Sequence, residues 1–445
     1  MLTRSADQEI RCQLQALVER HFQSEQVPEA LDPVRIPLSL PAYGVEEVME
    51  ALDSLLTKQV TMGSKVREFE RRFAEYIGVR HALMVNSGSS ANLLALSVLA
   101  NPLMDGRIRP GDEIITPAVT WATTVFPIIQ VGALPVLVDV DRETLNISVA
   151  QVERALSPRT RAIMLVHLLG NPCAMEPIME LARAHNLFVI EDCCEAHGAE
   201  VSGRRVGSFG HLATFSFYFS HHITTIEGGM VLSNDVHLDE MVRALRVFGW
   251  VRELRSREAL AREHAGIDPR YLFVNLGYNF RPTEIQGAFG MHQIGKLERF
   301  IAARQATARY WTERLRPLER YFFLPTEREG TRHAWLFYPL IVRPDAPFTR
   351  DELAAFLESR QVETRPIMAG NIEEQPVMRH YAYRVGGDLP TARLIMRNGV
   401  LVGLHQDFGP REREALVSYL EEFVRTRATL TPMLRQSSHL ETARE

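Results

Sequence analysis

The sequence predicts an α/β fold: a mostly parallel central sheet with a smaller C-terminal α+β domain. Two observations carry that prediction. Between residues 81 and 192, short apolar runs alternate with stretches of helical apolar spacing, the order that right-handed βαβ units require. Beyond about residue 295 this alternation stops, and strands and helices follow less regularly.

The elements follow in chain order. Residues 7 to 25 have the spacing of a short amphipathic helix, and "PVRIPLSLPAYG" reads as an extended, proline-punctuated lead-in. Residues 1–40 therefore stand as an N-terminal extension before a large domain over 41–295. "GVEEVMEALDSLL" and "KVREFERRFAEYIGV" are helical. "HALMV" is a strand, "NSGSS" a turn and "ANLLALSVLA" a helix. "DEIITPAV", "LPVLVDVD", "RAIMLVHLLG" and "LFVIED" are strands. The helices "TWATTVFPIIQVG", "SVAQVERAL" (opened by Ser148) and "MEPIMELARAHN" lie between them. "ATFSFY" and "GGMVLS" are two further strands joined by a loop. In a small domain over 296–427, "AWLFYPLIV" and "QVETRPI" are strands. "TRDELAAFLESR" is a helix whose Thr349 and Glu352 have capping-box spacing, and residues 411 to 426 form a closing helix. The polar stretch 428–445 is expected to fray or be disordered.

Composition narrows the function classes. Hydrophobic residues make up 46% and charged residues 24%, ordinary for a soluble globular protein. The net charge of -5, without a basic stripe or polybasic cluster, argues against nucleic acid and membrane surfaces. No apolar run is long enough to span a bilayer, and the N-terminus lacks the pattern of a secretory signal. Four cysteines, Cys12, Cys173, Cys193 and Cys194, are too few for a disulfide framework, so a reducing cytoplasm is expected.

In open parallel sheets, ligands gather at the carboxyl ends of the strands, and several marked residues fall there. Gly88 and Ser89 sit between a strand and a helix, where backbone N–H groups and a hydroxyl suit a phosphate. Ser87 or Ser89 also suits an ordinary N-cap. Asp192 ends an apolar strand, and a buried carboxylate there needs a partner. That partner is either the ring nitrogen of a pyridine cofactor, the start of a helix that Asp192 caps, or another structural donor. Trp121 either stacks on an aromatic ligand or fills the core. Cys193 and Cys194 read as small packing residues. Ser216 ends the strand before "SHHITTIEGGM" and suits the same phosphate. His221 and His222 are adjacent, and adjacent residues rarely converge on one ion, so no metal site is expected.

Taken together, "TMGSKVREFE", "NSGSSANLLAL", "ITPAVTWATTV", "PVLVDVD", "IEDCCEAHGA", "SFYFSHHITTIEGGM" and "GYNFRPTEIQGA" resemble the nucleotide-sugar aminotransferase family of the fold type I pyridoxal phosphate enzymes. The resemblance runs from about residue 34 to 426. It implies the fold type I transferase architecture and a pyridoxal or pyridoxamine phosphate cofactor. By it, Gly88, Ser89 and Ser216 take the cofactor phosphate, Trp121 stacks on the ring, Asp192 meets its nitrogen and Glu195 lies near it. Asn279 would reach the phosphate of the neighbouring subunit, so a two-fold homodimer is implied. In the family a lysine stands five residues after the serine; here the residue is His221. The 4-keto-6-deoxyhexose 3-dehydratases share that replacement. "RVFGW" and "TRPIMAGN" are similar to the mannose type of that branch, which implies a guanosine nucleotide. His222, Arg365 and Asn371 are candidates for binding the sugar nucleotide or L-glutamate.

The replacement changes the chemistry. A primary amine traps the cofactor's aldehyde; imidazole cannot, so the cofactor is expected to be bound non-covalently, in its amine form. An unperturbed imidazole is roughly three-quarters free base at pH 7, whereas lysine, near 10.4, is almost wholly protonated. His221 is therefore expected to take a proton as base and return it as acid while the C3 hydroxyl leaves. Glutamate would restore the amine form. One alternative is the reductase-coupled type, which acts on a cytidine diphosphate sugar and carries clustered cysteines after the histidine loop. "VRELRSREALAREHAGIDPRYLF" stands there instead, so no iron–sulfur cluster is expected. A silent binding protein that lost its lysine is a second alternative. An aminotransferase using another amine is a third, Lys296 being the closest lysine downstream.

Overall fold

The computed structural model describes residues 4–25 and 34–441. Its main sheet has eight strands. Across the sheet they run His81–Val85, Gly229–Ser233, Leu212–Ser216, Phe188–Asp192, Thr160–Val166, Glu113–Pro117, Leu134–Val138 and Arg384–Val385. Only Gly229–Ser233 runs against the others; the pairs from Leu212–Ser216 outward are parallel.

Alternation along each strand sends side chains to two cores. Leu83, Val85, Ile114 and Met164 pack with Leu94 of the helix Gly88–Leu99 and Val242 of Val236–Arg246. Met84, Ile115, Ile163 and Leu165 pack on the opposite face with Phe69 and Phe73 of Ser64–Ile77 and Ile178 of Met175–Ala184. With both faces covered, the strands read as nearly continuous apolar runs.

A second, antiparallel sheet orders Phe322–Phe323, Phe337–Val342, Gly399–Gly403 and Thr364–Arg365. Trp311, Tyr338, Leu353, Leu357, Leu416 and Leu420 fill its core. Two segments cross the division expected near residue 295. Ile36, from the lead-in, is buried in this second core and bridges Val362. Arg384–Val385 leaves it to join the edge of the large sheet, where Arg384 pairs with the buried carboxylate of Glu113 at 2.7 Å.

Some local expectations change. "QVETRPI" contributes only Thr364–Arg365, because Pro366 has no N–H to offer a ladder. Ser148 stands at the cap of Val149–Ala155, but its side chain makes no capping bond. The capping box does form: Thr349 Oγ1 accepts from Glu352 N at 3.2 Å, and Glu352 Oε2 accepts from Thr349 N at 2.8 Å. The closing helix is longer than 411–426: it runs Pro410–Glu441 and covers most of the stretch expected to fray, residues 442–445 lying outside the described residues. The N-terminal helix Arg4–Glu25 docks on Val45–Leu56 through Arg11 and Asp53, 2.7 Å apart. Among the described residues, no helix is long and apolar enough to cross a membrane.

Candidate active site

The carboxyl ends of the parallel strands meet at one cradle. Ser87 caps the helix Gly88–Leu99, its Oγ accepting from Ser90 N at 3.1 Å. The N–H groups of Gly88 and Ser89 lie ahead of the first intrahelical bonds, so both are left for a ligand. A Cβ on Gly88 would sit 2.5 Å from Ser216 Cβ and 3.1 Å from Cys194 Sγ. The helix start, the end of Leu212–Ser216 and the turn after Asp192 therefore converge where no side chain fits. The Gly-Gly pair after the histidine loop has the same cause: a Cβ on Gly229 would lie 2.3 Å from the Ser87 carbonyl oxygen. Of the readings of "NSGSS", the cap falls to Ser87, while Gly88 is buried and Ser89 exposed.

Asp192 is buried at the end of its strand. Its Oδ2 accepts from Asn92 Nδ2 at 2.8 Å and from Thr124 Oγ1 at 2.8 Å. Its Oδ1 accepts from the Cys194 backbone N–H, at 3.2 Å. The chain turns rather than starting a helix after Asp192, so the residue is no N-cap. All these donors are neutral. A buried carboxylate so placed suits one cationic partner at Oδ1, such as a protonated pyridine nitrogen. Trp121, at the cap of Ala122–Gln130, is 55% exposed and so is no core residue. Glu195 is buried; its Oε2 accepts from Leu169 N at 2.6 Å, and burial pushes its carboxyl up to about 8. At pH 7 the protonated form therefore predominates, which limits negative charge beside Asp192.

The two histidines are unlike. His222 is buried, and its Nε2 donates to the Ala334 carbonyl at 3.0 Å, anchoring the loop. His221 is half-buried, and its Nδ1 has no partner among the described residues. Burial, aided by the charge of Arg304, pushes His221 down to about 4. It is therefore almost entirely free base at pH 7, more completely than the three-quarters expected from an unperturbed ring. His197 adjoins both, its ring centre 6.1 Å from His221 and 5.5 Å from His222. Arg304 is buried and donates to the carbonyls of Leu336 at 2.9 Å, Trp335 at 3.3 Å and Leu404.

The remaining candidates are more dispersed. Asn279 is exposed, its Oδ1 accepting from Arg281 Nε at 2.9 Å. Arg365 is exposed and donates to its neighbour's carbonyl, Thr364 O, at 2.7 Å. Asn371 is buried, with its carboxamide taken up by Glu373 and Glu374. Its segment nonetheless reaches the site: Ala369 N and Ile372 N donate to Thr120 O and Ala118 O, beside Trp121.

Sequence reading missed Asn92, Thr124, Thr214, His197 and Arg304. A signal existed for one of them: Asn92 lies four residues after Gly88, one helical turn along the same face. His167, Glu191 and Cys193 also bring ligand atoms within 4.8 Å of one another. His167 Nδ1 accepts from Cys173 N at 2.9 Å, so Nε2 carries the proton and donates to Glu191 at 3.2 Å. This is a hydrogen-bonded core network, not a ligand set. The chain has three lysines. Lys65 pairs with Glu50 and Asp53, both at 2.8 Å, and Lys296 pairs with Glu47 at 2.7 Å. Lys58 is exposed after Val45–Leu56.

Known proteins are similar to this chain in sequence and fold. A dTDP-4-dehydro-2,6-dideoxy-D-glucose 3-dehydratase of Saccharopolyspora spinosa is 38% identical over 384 residues, 84% of this chain and 83% of its own. A GDP-4-keto-6-deoxy-D-mannose 3-dehydratase of Yersinia pseudotuberculosis is 35% identical over 377 residues, 84% of this chain and 95% of its own. A crystal structure of GDP-4-keto-6-deoxymannose-3-dehydratase with a trapped PLP-glutamate geminal diamine superposes with a TM-score of 0.81. It is 33% identical and covers 88% of this chain and 100% of that one. With residues 41–421 matching its pattern, the chain belongs to the DegT/DnrJ/EryC1/StrS aminotransferase family.

Proposed function

We propose that the protein is a pyridoxamine phosphate-dependent 3-dehydratase acting on a nucleotide-linked 4-keto-6-deoxyhexose, with L-glutamate restoring the amine. One observation carries this reading. A neutral imidazole, His221, stands on the loop that leaves the strand Leu212–Ser216, whose end meets Gly88 in the cradle, and no lysine takes its place.

When bound, the cofactor supplies an amine for the 4-keto carbon and a ring that accepts electrons. The chain's own residues do the rest. Gly88 and Ser89 offer N–H groups, and Ser216 a hydroxyl, to a phosphate. Trp121 covers one face of the ring. Asp192 keeps the proton on the ring nitrogen. A ring nitrogen of His221 takes the proton that must leave carbon, then returns it to the departing C3 hydroxyl.

Guanosine is our reading of the nucleotide, from the mannose-type relative. A thymidine diphosphate sugar is the second reading, favoured by the relative at 38% identity. A homodimer accords with the exposed Tyr271, Phe273 and Leu276, three apolar side chains close before Asn279. Four unpaired cysteines accord with a reducing cytoplasm.

The test is product analysis by mass and NMR, with guanosine, thymidine and cytidine diphosphate 4-keto-6-deoxy sugars, pyridoxamine phosphate and glutamate, and no reductase. Loss of the C3 oxygen supports the reading. An amine at C4 refutes it.

A further inference from the structure

We propose that Asn92 and Thr124 are positioning residues: they hold Asp192 as an anion and leave its Oδ1 facing the cofactor's ring nitrogen. The inference rests on the function proposed above and assigns it residues beyond the carboxylate itself.

The two oxygens of Asp192 are treated differently. Asn92 Nδ2 and Thr124 Oγ1 both donate to Oδ2, at 2.8 Å each. Oδ1 receives one long bond, 3.2 Å, from the Cys194 backbone. Each donor is in turn oriented. Thr120 Oγ1 donates to Thr124 Oγ1 at 2.7 Å, so the Thr124 proton is directed to Asp192. Thr214 Oγ1 donates to Asn92 Oδ1 at 2.5 Å, which fixes the amide with its nitrogen toward Asp192. The second Asn92 N–H goes to the Thr123 carbonyl at 3.0 Å. Asn92, Thr124, Asp192 and Thr214 come from four separate elements, and all are buried.

Satisfying the carboxylate alone would spread the donors over both oxygens, whereas these gather on one. The arrangement instead sets where a shared proton resides. Donors on Oδ2 stabilise the carboxylate anion. With the anion stabilised, the proton between Oδ1 and the ring nitrogen stays on nitrogen. Without the donors, the carboxylate is free to turn and Oδ1 no longer holds the proton on the ring nitrogen, so the ring accepts electrons poorly.

The experiment uses the full-length protein loaded with pyridoxamine phosphate labelled with ¹⁵N in the ring, whose shift reports whether that nitrogen is protonated. Thr124→Val removes one hydroxyl without changing shape, Thr124→Ser restores it, and Asn92→Leu removes the amide. The expected result is a protonated nitrogen in wild type and Thr124→Ser, and a shift toward the neutral form in the other two. The kcat of those two is expected to fall roughly tenfold to a hundredfold, with KM for the sugar little changed. A fully protonated nitrogen in both Thr124→Val and Asn92→Leu overturns the inference, as does Thr124→Ser behaving like Thr124→Val. Should Asn92→Leu fail to fold, Thr214→Val, which releases the amide's orientation, takes its place under the same criteria. Wild-type protein that binds no pyridoxamine phosphate overturns the proposed function itself, and this inference with it.

Discussion

The Cβ that Gly88 lacks would lie 2.5 Å from the Cβ of Ser216, so the two residues share one space. Gly88→Ala must push the strand end and the helix start apart, at about 1–3 kcal/mol of stability. The larger effect is expected on the cradle: pyridoxamine phosphate affinity should fall at least about tenfold. Equilibrium dialysis beside a thermal melt separates the two. Unchanged affinity would count against a phosphate at this position.

His221→Asn keeps a polar side chain of similar reach but removes the base. Loss of the C3 oxygen should slow by at least about 100-fold, while pyridoxamine phosphate still binds. Retained turnover would move the base elsewhere, although His222 is already committed to the Ala334 carbonyl.

Acid should destabilise the fold well before ordinary carboxylates titrate. Burial holds the imidazoles of His197, His221, His222 and His333 below their ordinary range, His221 at about 4. Unfolded histidines titrate near 6.5. Below that value the unfolded chain binds more protons than the native one, so stability falls as pH drops from about 6.5 toward 4. Glu195 pulls the other way: its carboxyl is raised to about 8, so its contribution is present below its unfolded value and lost as pH rises to about 8. The histidines outnumber it. Urea midpoints should therefore decline between pH 6.5 and 5, and Glu195→Gln should steepen the net rise with pH. A midpoint that increases on acidification contradicts this.

Arg246 opens the "RVFGW" stretch, yet it is a core residue. Its Nη1 donates to Glu70 at 2.8 Å and to Met84 O at 2.9 Å, and its Nη2 to Glu253 at 2.8 Å. Arg246→Ala leaves Glu70 buried without a cation and should cost about 3–5 kcal/mol in a denaturant titration. Arg246→Met with Glu70→Gln, which removes both charges, should recover much of that loss.

Much of the fold was legible because burial on both faces of the sheet writes apolar runs such as "RAIMLV" directly into the sequence. Polar composition, by contrast, says little about helix length, which is why the closing helix is longer than expected. Within the site, Gly88, Asp192 and Ser216 stood out because each marks a strand end or helix start. Trp121 stayed open between stacking and core until its exposure was known. Asn92 and Thr214 looked like stray polar residues in apolar elements, since their role depends on contacts 122 residues apart in the chain. His197 was hidden for the same reason.

The reversed strand Gly229–Ser233 is zipped to a neighbour on each side, and with Leu212–Ser216 it fixes both ends of the segment that carries His221. That clamp frees the residue at its apex from any duty to the framework. On the function proposed above, exchanging one side chain there would redirect the outcome of a reaction while every strand keeps its register, so new sugar chemistry would need only a single codon and no new protein around it.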